Sequence, residues 1–402
     1  MGRMGWPRLI AGLGWVATTL STGRVHAAFD GGASAAAAAA ASPATATDTA
    51  SASASPSPGV FGAVAGASGA ATPPRPLDAR EVIVPIPGAE RMRIDNPLGN
   101  VTVRAWGRAD AIHIVAEKSS ASAEALARLR VHFRAWAGGE VSVETRVDMG
   151  DRERALPLVA SRVDLLVEVP AALEIEAKTF AGDLTASGLR AGARLETTGG
   201  RIGVSDVHGR VVTRQLRGGQ TVVAVDGDLD LDGVEGLMRL EGVAGARVEA
   251  RIVDGDIRAE DIRSHEVRLS ATTGQVVLLG LLQPRAHYDL RSYSGEVRVA
   301  LVTLPPGNVP LGFELHVRSP VPIASTIPLR TLWRQGNRLR AIATPAGAHP
   351  DPGRTAAGNT AERPVVELSS VLGRVVLTAA QGLEGARGGG AGLGVGESAL
   401  PF

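Results

Sequence analysis

The residues best placed to do chemistry lie in one run, Asp226-Gly227-Asp228-Leu229-Asp230-Leu231-Asp232-Gly233. Carboxylates at alternate positions followed by glycine match the start of a Ca²⁺ loop, in which oxygen ligands and a sharp turn wrap the ion. Asp228, Asp230, Asp232 and Gly233 fit its first, third, fifth and sixth places, but the place of the closing bidentate Glu is held by Arg239, which repels a cation. Leu229 and Leu231 intervene, so these carboxylates are expected on the outer face of a strand, as a solvated acidic stripe. Asp226, Asp228, Asp230 and Asp232 are thus the only metal-ligand candidates, and the stripe is the preferred reading.

Other constellations offer less. Ser205, Asp206 and His208 have the residue types of a nucleophilic triad, yet they share one short turn and cannot form the relay. The eight histidines are scattered without metal spacing, and His113, between Ile112 and Ile114, is expected to face solvent. Gly138-Gly139, Gly199-Gly200 and Gly218-Gly219 follow no phosphate-loop spacing and read as turns. No catalytic residue and no cofactor site is expected. The catalytic alternative is a polysaccharide-active β-helix enzyme, which needs a charged groove and aromatic platforms. The two tyrosines are Tyr288 and Tyr293, and Trp106, Trp136 and Trp333 fall outside the repeat described below.

The elements that carry these residues are set by an internal repeat. Glycines recur at 182, 200, 209, 218, 227, 236, 245 and 255, then at 274 and 295, at a constant spacing of nine positions from Gly200 to Gly245. Ala191, Ser264 and Pro284 fill the missing places. Two positions after the glycines come Leu184, Ile202, Val211, Leu229, Met238, Ile257, Val276 and Val297. Four positions after come residues such as Ala186, Val204, Leu231, Leu240 and Leu278, and seven after come Leu189, Val207, Leu216, Val234, Val243, Ile262 and Leu281. Residues two apart on a strand share a face, so the second and fourth positions point one way. The seventh lies past a corner and is expected to point inward again. Two such units give a coil of roughly eighteen residues, and stacked coils sit about 4.8 Å apart. The expected fold is all-β: a β-solenoid (β-helix or β-roll) with a small N-terminal β-rich cap and a short helix near Ser122 to Arg130.

Composition frames that fold. Among 402 residues there are 50 Gly, 24 Pro and no Cys, and aromatics make up 3%, so the core must be built in thin layers of Val, Leu, Ile and Ala. Residues 1–28 have the plan of a signal peptide: Arg3 and Arg8, an apolar run from Leu9 to Leu20, and small residues at Ala27 and Ala28. Residues 29–79 are an Ala/Ser/Pro-rich linker, too poor in large apolar groups to offset its ordering entropy. The solenoid domain is expected over 80–380, with an insertion loop at 343–363 and a Pro-rich interruption from Leu304 to Pro328. Residues 381–402 form a Gly-rich tail. Loss of Arg3, Arg8 and Arg24 with the leader leaves 39 basic against 41 acidic residues, which gives no reason to expect nucleic acid as a partner. No later segment is long and apolar enough for a transmembrane helix.

Arg93-Ile94-Asp95-Asn96-Pro97-Leu98-Gly99-Asn100-Val101-Thr102-Val103, the strand from Val163 to Pro170, and the Thr/Ser-x-x-Gly-x-Val units at Thr197 to Ile202, Ser270 to Val277 and Arg291 to Val299 carry a family resemblance. The chain resembles the adhesin-like β-strand-repeat domain of unknown function of bacterial envelope proteins, over about 82–303 and again at 365–379. The resemblance implies a β-solenoid, export or membrane tethering, and an adhesive role, with no catalytic residues to carry over. The expected protein is a non-catalytic exported binder or scaffold, periplasmic or on the cell surface, whose partner is an envelope component or surface ligand. An accessory role in an envelope-stress response is a further alternative.

Overall fold

The computed structural model describes residues 26–28, 77–136, 139–147, 161–302, 312–345 and 363–380. Expectations for 1–25, 29–76, 346–362 and 381–402 therefore lie outside the described residues. These comprise most of the leader and linker, most of the insertion loop, and the tail beyond 380. The described chain is almost entirely strand, as its alternating apolar pattern requires.

The N-terminal part holds β1 (His26–Ala28), β2 (Leu77–Pro85), β3 (Arg91–Asp95), β4 (Val101–Trp106) and β5 (Ala111–Ser119). The helix α1 (Ala123–Arg128) follows, then β6 (Leu129–Ala135), β7 (Glu140–Val147) and β8 (Arg162–Pro170). Ser122 caps α1 by accepting from the Ala125 N–H at 3.1 Å. The repeat supplies β9 (Glu174–Ala181), β10 (Leu184–Ser187), β11 (Ala193–Gly199), β12 (Ile202–His208), β13 (Val211–Arg217) and β14 (Gln220–Asp226). It continues through the long β15 (Leu229–Thr273), β16 (Val276–Gly280), β17 (His287–Ser292) and β18 (Val297–Val302). Last come β19 (Phe313–Arg318), β20 (Ala324–Ser325), β21 (Leu329–Gln335), β22 (Arg338–Ala343), β23 (Val365–Ser370) and β24 (Val375–Ala380).

Two parallel ladders run through the repeat. One pairs β8, β4, β10, β12, β14, β15, β16, β18 and β24 in turn. The other pairs β7, β3, β9, β11, β13 and β15, and then β15, β17, β23 and β19. Register sets Leu184 against Ile202 and Ala193 against Val211, an offset of eighteen residues. Antiparallel strands close the ends: β5 and β2 beyond β8, β6 and β1 beyond β7, and the β22–β21 hairpin beyond β19. His26–Ala28, at the expected cleavage position, forms the small strand on β6. β2 starts at Leu77, slightly ahead of the expected boundary at 80. The Pro-rich stretch from Leu304 to Pro328 does more than interrupt: it contributes β19, whose Phe313, Leu315 and Val317 are buried against the last rung.

The second and fourth positions are buried as the pattern requires from Leu184 and Ala186 to Val297 and Val299, except after Gly245, where Arg247 is exposed and Val248, Ala250 and Ile252 take the inward places. The seventh position divides into two classes, which corrects the sequence reading. Leu189, Val207, Val243 and Ile262 are buried, whereas Leu216, Val234 and Leu281 are exposed. Parity explains the difference for the first two exposed residues. After Gly182, Gly200, Gly218, Gly236 and Gly255 the sixth residue has positive φ (Gly188, Asp206, Ala224, Gly242 and Asp261), and this kink turns the next side chain inward. After Gly209 and Gly227 the strand runs straight, Gln215 or Gly233 takes the inward place, and the next side chain points out. Leu281 follows the positive-φ Gly280 but lies where the chain leaves β16.

The corners explain the Thr/Ser-x-x-Gly motif. Thr197 Oγ1 donates to the Gly182 carbonyl at 3.3 Å, Ser292 Oγ to Gly274 at 2.8 Å, and Ser370 Oγ to Gly295 at 3.0 Å. Each inward hydroxyl thus satisfies the corner carbonyl of the preceding repeat. At Gly236, φ is +141° and an added Cβ would fall well inside contact with the Gly218 carbonyl, which only glycine permits.

Two stability predictions follow from this geometry. Val207→Asp, at a fully buried site, should cost about 3 kcal/mol or more, while Leu216→Asp, at a position 45% exposed, should stay within about 0.5 kcal/mol. Urea melts giving equal losses would mean the parity is misassigned. Gly236→Ala should lose at least about 1–3 kcal/mol, and Gly203→Ala, where a Cβ meets only ordinary contacts, should melt like the parent.

Candidate functional site

The outer face of β17, β23, β19, β22 and β21 carries two cross-strand rows that together line an open groove of about 800 Å³. One row reads Asp289, Glu367, His316, Arg340 and Trp333 across the strands. The adjacent row reads Arg291, Ser369, Arg318 and Arg338. Trp333 reaches this face through a bulge: the register shifts between Thr331 and Trp333, which sets the indole opposite Arg340 instead of Leu339. The ring is half exposed at 47%.

Charges in the groove are unevenly matched. Arg291 grips Asp289 with two bonds of 2.7 and 2.6 Å. Arg340 bonds Glu314, which also contacts His316 Nε2 at 2.7 Å, and the Arg340 bond is the main cause holding the Glu314 carboxyl below its usual range. Arg318 and Arg338 face each other across β19 and β22, and neither has a carboxylate partner among the described residues. Sequence reasoning missed this site. The alternation Arg338-Leu339-Arg340 signals a strand, but nothing local says that Arg318 will be its neighbour.

The acidic run is not gathered into a cage. Asp228 Oδ1 accepts from the backbone N–H groups of Ala246 and Arg247 at 3.1 and 3.0 Å, stapling one corner to the next. Asp183 and Asp256 do the same for Arg201 and Gln275. Asp226 lies 3.7 Å from His208, Asp230 3.8 Å from Arg210, and Asp232 3.6 Å from Arg251. Among the described residues no three His, Asp or Glu side chains converge as metal ligands. Asp206 occupies a positive-φ corner, so the Ser205, Asp206 and His208 set serves the turn.

His113 corrects an expectation. Its side chain is only 15% exposed and bridges two carboxylates across β2, β5 and β8: Nε2 to Glu81 at 2.8 Å, and Nδ1 to Glu168. Antiparallel pairing sets His113 directly opposite Glu168, so an outward direction is not a free one. The hydrogen bond to Glu168 is the main cause that raises the imidazole above 6.5, and the same bond lowers the Glu168 carboxyl. A histidine with a raised folded value adds stability that is complete below about 6.5 and is lost as pH climbs through that folded value. His113→Gln should therefore flatten the decline in urea stability expected on going from pH 6 to pH 9. An unchanged slope would show that the bridge contributes nothing.

A family model described as Toastrack DUF4097 matches residues 69–305. Similar solved structures include a candidate cell adhesion protein from Clostridium sporogenes, with 10% identity, 76% of this chain and 100% of that chain covered, and a TM-score of 0.19. Another is a candidate lipid-binding protein from Parabacteroides distasonis, with 11% identity, 56% and 89% covered, and a TM-score of 0.37. A candidate adhesin from Bacteroides fragilis has 11% identity, 77% and 99% covered, and a TM-score of 0.26. Likenesses this distant carry no argument about function. No curated protein matches the chain. The family match covers more than half of the sequence, and the chain belongs to the Toastrack DUF4097 family.

Proposed function

We propose that this protein is exported and acts without catalysis, as a binding or scaffolding element of the bacterial envelope. In this reading residues 1–28 are removed, 29–79 tether the domain, and the two ladders over 80–380 close into a solenoid of about eighteen-residue coils. The observation that carries the reading is the pair of long outward faces. Side chains there stack rung upon rung and pair with their neighbours, as in Lys178 beside Glu196 at 3.2 Å and Arg217 beside Glu235 at 3.5 Å. Such faces suit many weak contacts with an extended partner, and most of their polar groups are engaged with one another rather than poised for bond chemistry. The run Asp226, Asp228, Asp230 and Asp232 is taken to staple and pair within these faces, with no metal role. Among the described residues no helix is long and apolar enough to cross a membrane.

The test is fractionation of the natively expressed protein. Its N-terminus should start near Ala28 or Phe29 by mass spectrometry, and the protein should stay with envelope material and elute as salt rises. Intact Met1 recovered in soluble cytosol would overturn export. Turnover of a polysaccharide, abolished by changing one acidic residue, would replace this reading with the enzymatic one.

A further inference from the structure

We propose that the groove formed by β17, β23, β19, β22 and β21 binds an acidic polysaccharide, with Arg318 and Arg338 holding its carboxylates or sulfates and Trp333 stacking on a sugar ring. This rests on the non-catalytic binding reading and names the ligand class of one site.

The fold sets two like charges side by side in this groove. Elsewhere on the ladders arginines commonly have a carboxylate two residues away on the same strand, as in Arg239 with Glu241, Arg258 with Glu260 and Arg298 with Glu296. Arg318 and Arg338 instead stand directly opposite each other, and like charges in that relation oppose strand pairing. Arg291 and Ser369 continue the same row, and Asp289 already occupies Arg291. An anion lying along the row removes the repulsion and takes bidentate bonds from both guanidinium groups.

Shape and polarity select among anions. The groove is open and crosses five strands, so it suits a chain rather than a single small ion. Trp333 is presented on this face by the bulge at its own strand, half exposed at the end of the row that contains Arg340. An indole so placed offers a flat apolar surface to the C–H face of a sugar while its rim stays wet. His316, beside Arg318 on β19, and Glu367 and Ser369, on the next strand β23, also line the groove and can exchange hydrogen bonds with hydroxyl groups. The carboxylates of Asp289 and Glu367 in the same rows disfavour a densely charged polyphosphate such as a nucleic acid. Widely spaced charges on a hydroxyl-rich chain fit both features at once.

The experiment is calorimetric titration of the full chain with polygalacturonate, using dextran as the neutral polymer and oligo-dT as the competing polyanion. Polygalacturonate should bind with a salt-dependent affinity, dextran should not bind, and oligo-dT should bind at least tenfold more weakly. The double variant Arg318→Ala/Arg338→Ala should lose at least tenfold in affinity and most of the salt dependence, and Trp333→Ala should lose affinity while keeping the salt dependence. All three positions are exposed, so urea melts should match the parent, or improve for the double variant as the like-charge contact disappears. Absence of polygalacturonate binding, unchanged binding by the double variant, or oligo-dT binding of equal strength would each overturn the inference. If envelope retention persists while polygalacturonate fails to bind, the ligand class falls and the binding reading stands. If retention also fails, both fall.

Discussion

Successive repeats bring backbone directly against backbone at their glycine corners. The glycine of one turn lies over the carbonyl of the glycine one repeat earlier, at Gly200 on Gly182, Gly218 on Gly200, Gly236 on Gly218 and Gly255 on Gly236. No side chain fits there, so the corner fixes how closely the rungs stack. Rung spacing in turn determines the ladder bonds, the burial of the second and fourth positions, and the alignment of every outward residue with its counterpart. The inward Thr and Ser hydroxyls matter for the same reason, because they satisfy the partly buried corner carbonyls.

In-register parallel stacking has an electrostatic consequence. It sets equivalent positions about 4.8 Å apart, so a conserved outward charge would face its own copy on each rung. This chain varies those positions. Acid and base alternate along strands, as in Arg247, Glu249 and Arg251, and across rungs, as in Arg91 with Glu174 and Arg104 with Glu168. The acidic run belongs to that pattern: each carboxylate has a basic or backbone partner from a neighbouring rung. Like charges do face each other at a few places, among them Asp95 and Glu144, Asp289 and Glu367, and Arg130 and Arg146; the pair Arg318 and Arg338 falls on an insertion that the repeat itself does not need.

A ladder also exposes an edge at each end, a template for unwanted pairing. Here both ladders turn antiparallel at the N-terminal end, through β5 and β2 on one and β6 and β1 on the other. At the other end β19 and the β22–β21 hairpin extend one ladder, while among the described residues the short β20 covers β24 on the other. The hairpin that shields an edge is the same element that builds the groove wall. Its outer strand is exposed along nearly its whole length, including Leu332 and Trp333.

The sequence by itself determined the repeat, its glycine corners, the inward second and fourth positions, the short helix and the β-rich cap. These are local properties, since glycine tolerance, strand alternation and a capping serine act within a few residues. Only the tertiary structure decided which seventh positions point inward, because Val207 and Leu216 differ in the φ of the residue before them and not in their own chemistry. It also decided that His113 lies between two carboxylates, that Asp228 bonds the backbone of the next repeat, and that Arg318 meets Arg338 and Trp333 meets Arg340. Those partners come from strands far apart in the chain or from a one-residue bulge. Register between strands is set by the packed stack as a whole, and no local pattern of residue types encodes it.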